Sequence, residues 1–347
     1  MQITKKRFGL TRQGEQAYLF ILKNDQIEVS ITNYGGIITS VKMPDRKGNK
    51  KEIVLGFNRL EDYWSEQYLQ NCHYFGCLVG RVCNRISKGR FTLNEKTYQL
   101  AINDADRHLH GGIEGFDKKL WKAERIKEQG IVGVELSYLS PDMDEGYPGN
   151  LLTKVRYTLN EKNELSLDYK AETDQTTIIN LTNHTYFNLN GGKANILNHS
   201  LEILAEKYVE LKNLMPTGKI LKVKGTPFDF REKRLIGKSI ELLPDGYDLN
   251  YVLKKPQGRL AWAGTLSEET SGCSVQVFTT QPGLQIYSGF YIPELELDGK
   301  KRFGKYSGFA LETQHYADSA NQPEFPTTVL NPGEKYHQKT VYKFITE

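Results

Sequence analysis

Val155-Arg156-Tyr157-Thr158-Leu159-Asn160-Glu161-Lys162-Asn163-Glu164-Leu165-Ser166-Leu167-Asp168-Tyr169-Lys170 is the stretch that decides the fold class. Apolar side chains fall at every second position from Val155 to Leu159 and again from Leu165 to Tyr169. Successive side chains of an extended chain point to opposite faces, so this spacing buries one face and wets the other. The polar run from Asn160 to Asn163 supplies the reversal, and a hairpin of Val155–Leu159 with Glu164–Lys170 is expected.

The same period recurs on both sides of that hairpin. Tyr18–Leu22, Ile27–Thr32, Ile37–Met43 and Glu52–Leu55 read as strands divided by turn residues, and Phe91–Leu93 with Lys96–Leu100 reads as a second hairpin. Further strands are expected at Ser200–Ala205, Leu260–Leu266, Ser274–Thr280, Gln285–Ser288, Gly308–Glu312 and Lys339–Phe344. Helical periodicity is limited to Leu60–Gln67 and Asp117–Trp121, about two turns each, and one turn at Leu235–Ile240. Many short strands without long intervening helices predict an all-β sandwich or barrel. The 347 residues hold no low-complexity linker or fixed-period repeat, so 1–347 reads as one large domain.

Composition narrows the function classes. Charged residues make up 25% and apolar ones 38%, as in an ordinary globular protein, and 46 basic against 42 acidic residues leave a formal charge of +4. The basic runs Lys47–Lys51 and Lys300–Arg302 adjoin glycines and read as loops, so no nucleic-acid partner is expected. No apolar run approaches the ~18 residues of a spanning helix, and no apolar stretch follows Lys5-Lys6-Arg7, so a cytoplasmic protein without a membrane partner is expected. Cys72, Cys77, Cys83 and Cys273 match no common zinc-ligand spacing and read as buried thiols.

Chemistry concentrates in a few segments. Thr182-Asn183-His184-Thr185-Tyr186-Phe187-Asn188-Leu189 sets an imidazole, which titrates near neutrality, in a strand-like segment of amides and hydroxyls. Phe309-Ala310-Leu311-Glu312-Thr313-Gln314-His315 places one carboxylate on an otherwise neutral strand. Arg81 and Arg85 lie among small and apolar residues, where a guanidinium needs oxygen partners, from an internal ion pair or from a ligand. His108 and His110, two apart, share a face if the segment is a strand, for chelation of a metal or for hydrogen bonding. Asp248, after the Asp245-Gly246 corner, either caps a turn or presents a carboxylate to paired hydroxyls. Gln285 and Tyr287 share a face, and with Tyr186 and Tyr291 they suit a sugar. Nucleotide-binding glycine loops, HExxH and GxSxG are all lacking.

In their order along the chain these segments resemble the aldose 1-epimerase (galactose mutarotase) family. The resemblance rests on Gly80-Arg81-Val82-Cys83-Asn84-Arg85-Ile86, Leu109-His110-Gly111-Gly112, Asn183–Leu189, Gly246-Tyr247-Asp248, Leu311-Glu312-Thr313-Gln314 and the tail from Asp318 to Glu334. It implies a large antiparallel β-sandwich (supersandwich) with a few short helices. It also implies an isomerase that interconverts the α and β anomers of a free aldose such as galactose or glucose. His184 would then be the general acid and Glu312 the general base, with Asn84, Arg85, His110, Asp248 and Gln285 holding the sugar. No metal or other cofactor is implied, and the nearby carboxylate is expected to keep His184 partly protonated at neutral pH. Leu249, Phe290 and Cys83 depart from the usual family pattern, the first two where sugar preference is at stake. Three other readings compete: a non-catalytic carbohydrate-binding protein on this fold, a hexose-6-phosphate 1-epimerase, and a cupin-like metal enzyme using His108, His110 and a carboxylate. Either a monomer or a homodimer is compatible with the sequence.

Overall fold

The computed structural model describes residues 1–70, 73–255, 258–297 and 301–347. Its largest sheet has nine strands, and the expected hairpin supplies the third and fourth of them as Leu151–Asn160 paired with Glu164–Thr173. Residues 151, 153, 155, 157 and 159 are buried while their neighbours are wet, as the period requires. Each large apolar side chain so buried contributes about 1.5–3 kcal/mol. Glu164–Thr173 then pairs with Tyr336–Thr346, which joins the chain's end to its middle. Cys273–Thr279 and Ala261–Glu268 continue the sheet.

A five-stranded sheet is built from residues 2–52. A six-stranded sheet runs in the order Tyr186–Phe187, Phe309–Gln314, Gly283–Tyr287, Asp248–Val252, Lys207–Lys212, Met215–Lys222. All ladders among the described residues are antiparallel. One core cluster draws on all three sheets, with Phe20 and Val29 from the first, Val155 and Leu167 from the largest, and Leu284 and Leu311 from the third. On the six-stranded sheet, the face carrying Leu249, Tyr251, Leu284, Ile286, Phe309 and Leu311 enters this core. Period 2 therefore turns Asp248, Asn250, Gln285, Tyr287 and Glu312 to the opposite face, which carries the site described below.

Several details differ from the sequence reading. Leu60–Gln67 becomes a 3₁₀ turn, Leu60–Trp64, followed by one α turn, Glu66–Leu69. Asp117–Trp121 is reduced to a 3₁₀ turn at Phe116–Lys118, and the third helix is a 3₁₀ segment at Ile236–Leu242. Glu52–Leu55 is not a strand: Lys50–Glu52 pairs at the sheet edge and Val54 makes an isolated bridge to Phe187. The two basic runs are not wholly loops either, because Lys50–Lys51 and Lys301–Arg302 lie in short strands, while Lys300 is outside the described residues. Cys77, Cys83 and Cys273 are buried free thiols, and Cys72 falls outside the described residues. No helix among the described residues is long and apolar enough to cross a membrane.

Candidate active site

Register sets the floor of the site. Asn250, Gln285 and Glu312 lie directly opposite one another on three adjacent strands, and Asp248 lies opposite Tyr287 in the next row. Glu312 is only 2% exposed, and its Oε1 sits 3.5 Å from His184 Nε2. His184 does not lie within a strand, as its sequence suggested. It occupies the break between Thr182–Asn183 and Tyr186–Phe187. Its amide donates to Cys77 O at 2.9 Å and its carbonyl accepts from the Gly76 amide at 3.0 Å. Asn183 fixes both flanks: Nδ2 donates to Gly76 O, and Oδ1 accepts from the Thr185 amide and hydroxyl. The amide and hydroxyl neighbours of the histidine are thus the bracket that aims it.

The two arginines part company. Arg81 is fully buried and donates to Ser140 Oγ, Ser140 O, Pro141 O and Pro148 O at 2.6–3.0 Å, a structural role satisfied by backbone and hydroxyl oxygens rather than by a paired carboxylate. Arg85 instead faces the cleft between two carboxylates, Asp104 Oδ2 at 2.9 Å and Asp248 Oδ2 at 3.5 Å. Gln285 Nε2 donates to Asp248 Oδ1, so Asp248 is a member of the network rather than a turn cap. Asn84, at φ +62°, accepts the Arg85 amide on its side chain at 2.9 Å.

His110 and His108 do not share a face. The strand they were expected to occupy is only His108–Leu109, and His110 turns to φ +52°. His108 points into the interior, donating from Nδ1 to Ala101 O at 2.8 Å and accepting from the Tyr147 hydroxyl at 2.7 Å. No chelate of these two histidines forms. His110 Nδ1 accepts the Asn84 amide at 3.2 Å, which puts the ring proton on Nε2 and makes His110 a donor toward the cleft. Gly111 is required beside it, since a Cβ there would lie 1.8 Å from Gly80 O. The ligand atoms of His110, His184 and Glu312 lie within 4.8 Å of one another. Yet a proton on His110 Nε2 occupies the lone pair a cation would need, so the trio is better suited to hydrogen bonding than to ligation.

One cleft is lined by all seven expected residues: His184, Glu312, Asn84, Arg85, His110, Asp248 and Gln285. His73, Tyr74, Tyr287 and the half-exposed Tyr291 complete its walls. Tyr74 packs on the His110 ring at 4.5 Å. Sequence reasoning missed Tyr74, His73 and Asp104, because each owes its place to tertiary packing. Leu249 is turned into the core and does not reach the cleft, whereas Phe290 packs edge-on against Tyr291 at 5.0 Å and so shapes the rim. Cys83 lies behind the site, its thiol 3.2 Å from Gln314 Oε1.

Electrostatics overturn one expectation. Burial pulls His184 down to about 3, and burial, reinforced by Asp248, raises Glu312 well above the usual carboxylate range while Arg85 opposes. Desolvation dominates both shifts, so burial favours the uncharged form of each group. His110 is likewise held neutral by burial.

The family model for aldose 1-epimerase matches residues 18–343. The chain belongs to the aldose 1-epimerase family. It is 45% identical over 350 residues to galactose mutarotase of Bos taurus, covering 99% of both chains. With aldose 1-epimerase of Escherichia coli K12 it shares 34% over 351 residues and 98% of each chain. The crystal structure of galactose 1-epimerase from Lactobacillus acidophilus superposes with a TM-score of 0.86 at 27% identity, covering all of this chain and 99% of that one. The expected antiparallel fold and isomerase class of this epimerase family both stand.

Histidine burial extends beyond the cleft. Besides His184, His73, His199 and His315 are pulled down to about 4, and His108 and His110 are also lowered, all by desolvation. Below an ordinary histidine pKa of about 6.5 the unfolded chain takes up protons that the folded one refuses. Their contribution to stability is therefore present above that value and lost as pH falls toward 4. The raised acids Asp117, Asp248 and Glu312 act oppositely, but they are three against six. Urea midpoints should fall from pH ~7.5 to pH ~5, and a flat profile would contradict this account.

Proposed function

We propose that this chain interconverts the α and β anomers of free hexoses such as galactose or glucose by acid–base ring opening and reclosure. The observation that carries the reading is the buried pair His184 Nε2 and Glu312 Oε1, 3.5 Å apart at the floor of a polar, tyrosine-walled cleft. The two oxygens on C1, O1 and O5, must exchange proton for bond in opposite senses. Glu312, as carboxylate, takes the O1 proton; His184, as imidazolium, protonates O5 as the C1–O5 bond breaks. The aldehyde turns about C1–C2, and closure reverses both transfers on the other carbonyl face. Each positioned transfer is typically worth ~10²–10⁴-fold.

The proton arrangement favoured by burial, acid Glu312 with neutral His184, is that of the open-chain intermediate. The Arg85 cation beside Glu312 pulls toward the ionised form in which ring opening starts. Asn84, Arg85, His110, Asp248 and Gln285 are read as the groups that hold the sugar, His110 as a donor and Asp248 as an acceptor. The reading further takes residues 1–347 as one domain, supported by the shared core, and a cytoplasmic monomer or homodimer without nucleic-acid or membrane partners.

Polarimetry on freshly dissolved α-galactose and α-glucose, with a chelator present, tests the activity; no acceleration over buffer would reject it. The cleft's guanidinium is committed to Asp104 and Asp248, and Arg107 nearby is engaged by Asp104 and Asp106. Glucose 6-phosphate should therefore be a poorer substrate than glucose, and a preference for the phosphate ester would favour the hexose-6-phosphate reading instead.

A further inference from the structure

We propose that the same cleft hydrolyses 1,5-aldonolactones, the cyclic esters in which C1 of the pyranose stands one oxidation level higher. The inference rests on the reading above. A site that turns over both anomers must accept O1 on either face of C1, because each anomer is the other's product. Water adding to the carbonyl of a lactone gives a tetrahedral centre that carries oxygen at both of those positions at once, with O5 still in the ring. That intermediate occupies no position that the two sugars do not already occupy in turn.

The groups present match the chemistry. Glu312 is positioned as base and His184 as acid, 3.5 Å apart, close enough to serve two substituents of one carbon. Glu312 Oε2 is buried without a partner, which leaves a second acceptor at the same carboxylate. His110, its Nδ1 occupied by the Asn84 amide, offers a neutral Nε2–H toward the cleft, a donor for an oxyanion.

The step balances without another reactant than water. Glu312 carboxylate takes one water proton as the oxygen bonds to C1 and the carbonyl electrons move to O1. The carbonyl re-forms, C1–O5 breaks, and O5 takes the proton of the His184 imidazolium. The product is the open-chain hydroxy acid; the pair ends with its single proton on Glu312, and passing that proton to His184 resets it. The acid then ionises in solvent, releasing one proton per turnover. C1 oxidation of an aldopyranose is the class of reaction that would supply such a substrate.

The test is pH-stat titration of glucono-1,5-lactone at mildly acidic pH, where the uncatalysed reaction is slow, with galactose mutarotation measured on the same preparation. Titrant demand should rise in proportion to enzyme, about 10²-fold or more above the spontaneous rate at saturation. Galactose should suppress it with an inhibition constant equal to its own KM for mutarotation, and Glu312→Gln should abolish it. Full mutarotation without lactone acceleration overturns the proposal and leaves the mutarotase reading standing. Loss of both reactions in folded protein rejects that reading and the proposal with it. Lactone hydrolysis that survives Glu312→Gln or ignores galactose also overturns it, by placing the reaction elsewhere on the protein.

Discussion

Glu312→Gln is expected to slow anomer interconversion by about 10³-fold, with His184→Ala close behind, and to leave the protein folded. The substitution at 312 is nearly isosteric, and burial already disfavours the ionised form of the carboxyl it replaces. What disappears is the ability to accept and return the O1 proton. His184→Ala removes the donor to O5 and leaves a gap beside Tyr186, whose ring centroid lies 4.8 Å away, so it also costs some stability. Because both groups act on one bond-breaking event, the double variant should lose little more than either single one. Polarimetry or NMR exchange between anomers reads the rates, and circular dichroism checks the fold. Retention of more than a tenth of the parent rate in either single variant would sink the assignment.

Arg81→Met is expected to cost about 3–5 kcal/mol of stability. Its guanidinium satisfies the buried carbonyls of Ser140 and Pro148, the carbonyl of Pro141 and the Ser140 hydroxyl, and Ser140 Oγ in turn donates to Asp144, which also binds Lys119. Methionine fills much of the volume but strands every one of those acceptors, and an unsatisfied buried polar group costs about 1–3 kcal/mol. A urea titration should show a lowered midpoint with little change in slope. A shift below about 1 kcal/mol would mean that relaxed backbone or water takes over the guanidinium's partners.

Arg81 and Arg85 also show where the sequence stops being readable. Four residues apart and in similar company, they look alike in one dimension, yet one ties down the loop at residues 140–148 and the other faces the cleft. Only the partners tell them apart, and these come from residues 104, 140, 141, 148 and 248. Where a strand has one dry face, as in Leu151–Asn160, alternation exposes it directly. Gln2–Leu10, Lys122–Glu128 and Met215–Lys222 escaped notice because they are sheet-edge strands with mostly wet side chains and no apolar stripe to follow. The cleft residues were legible through their motifs. Asp104, in a short acidic loop, carries no local mark of its contact with Arg85. The direction of the shift at His184 was misjudged for a related reason: a neighbouring carboxylate is visible in sequence, but the depth at which both groups are buried is not.

The pairing of one acid with one base at His184 and Glu312 has a consequence for how the site meets its surroundings. In the proposed reaction one proton is shared between two groups lining the cleft, and each half of the reaction only relocates it. Sugar entry, ring opening, rotation and closure thus leave the electrical balance between protein and bulk water untouched. On this mechanism the medium need neither lend nor reclaim a hydrogen ion during turnover. The cleft behaves as a self-contained proton reservoir, open to sugar while its working proton stays inside.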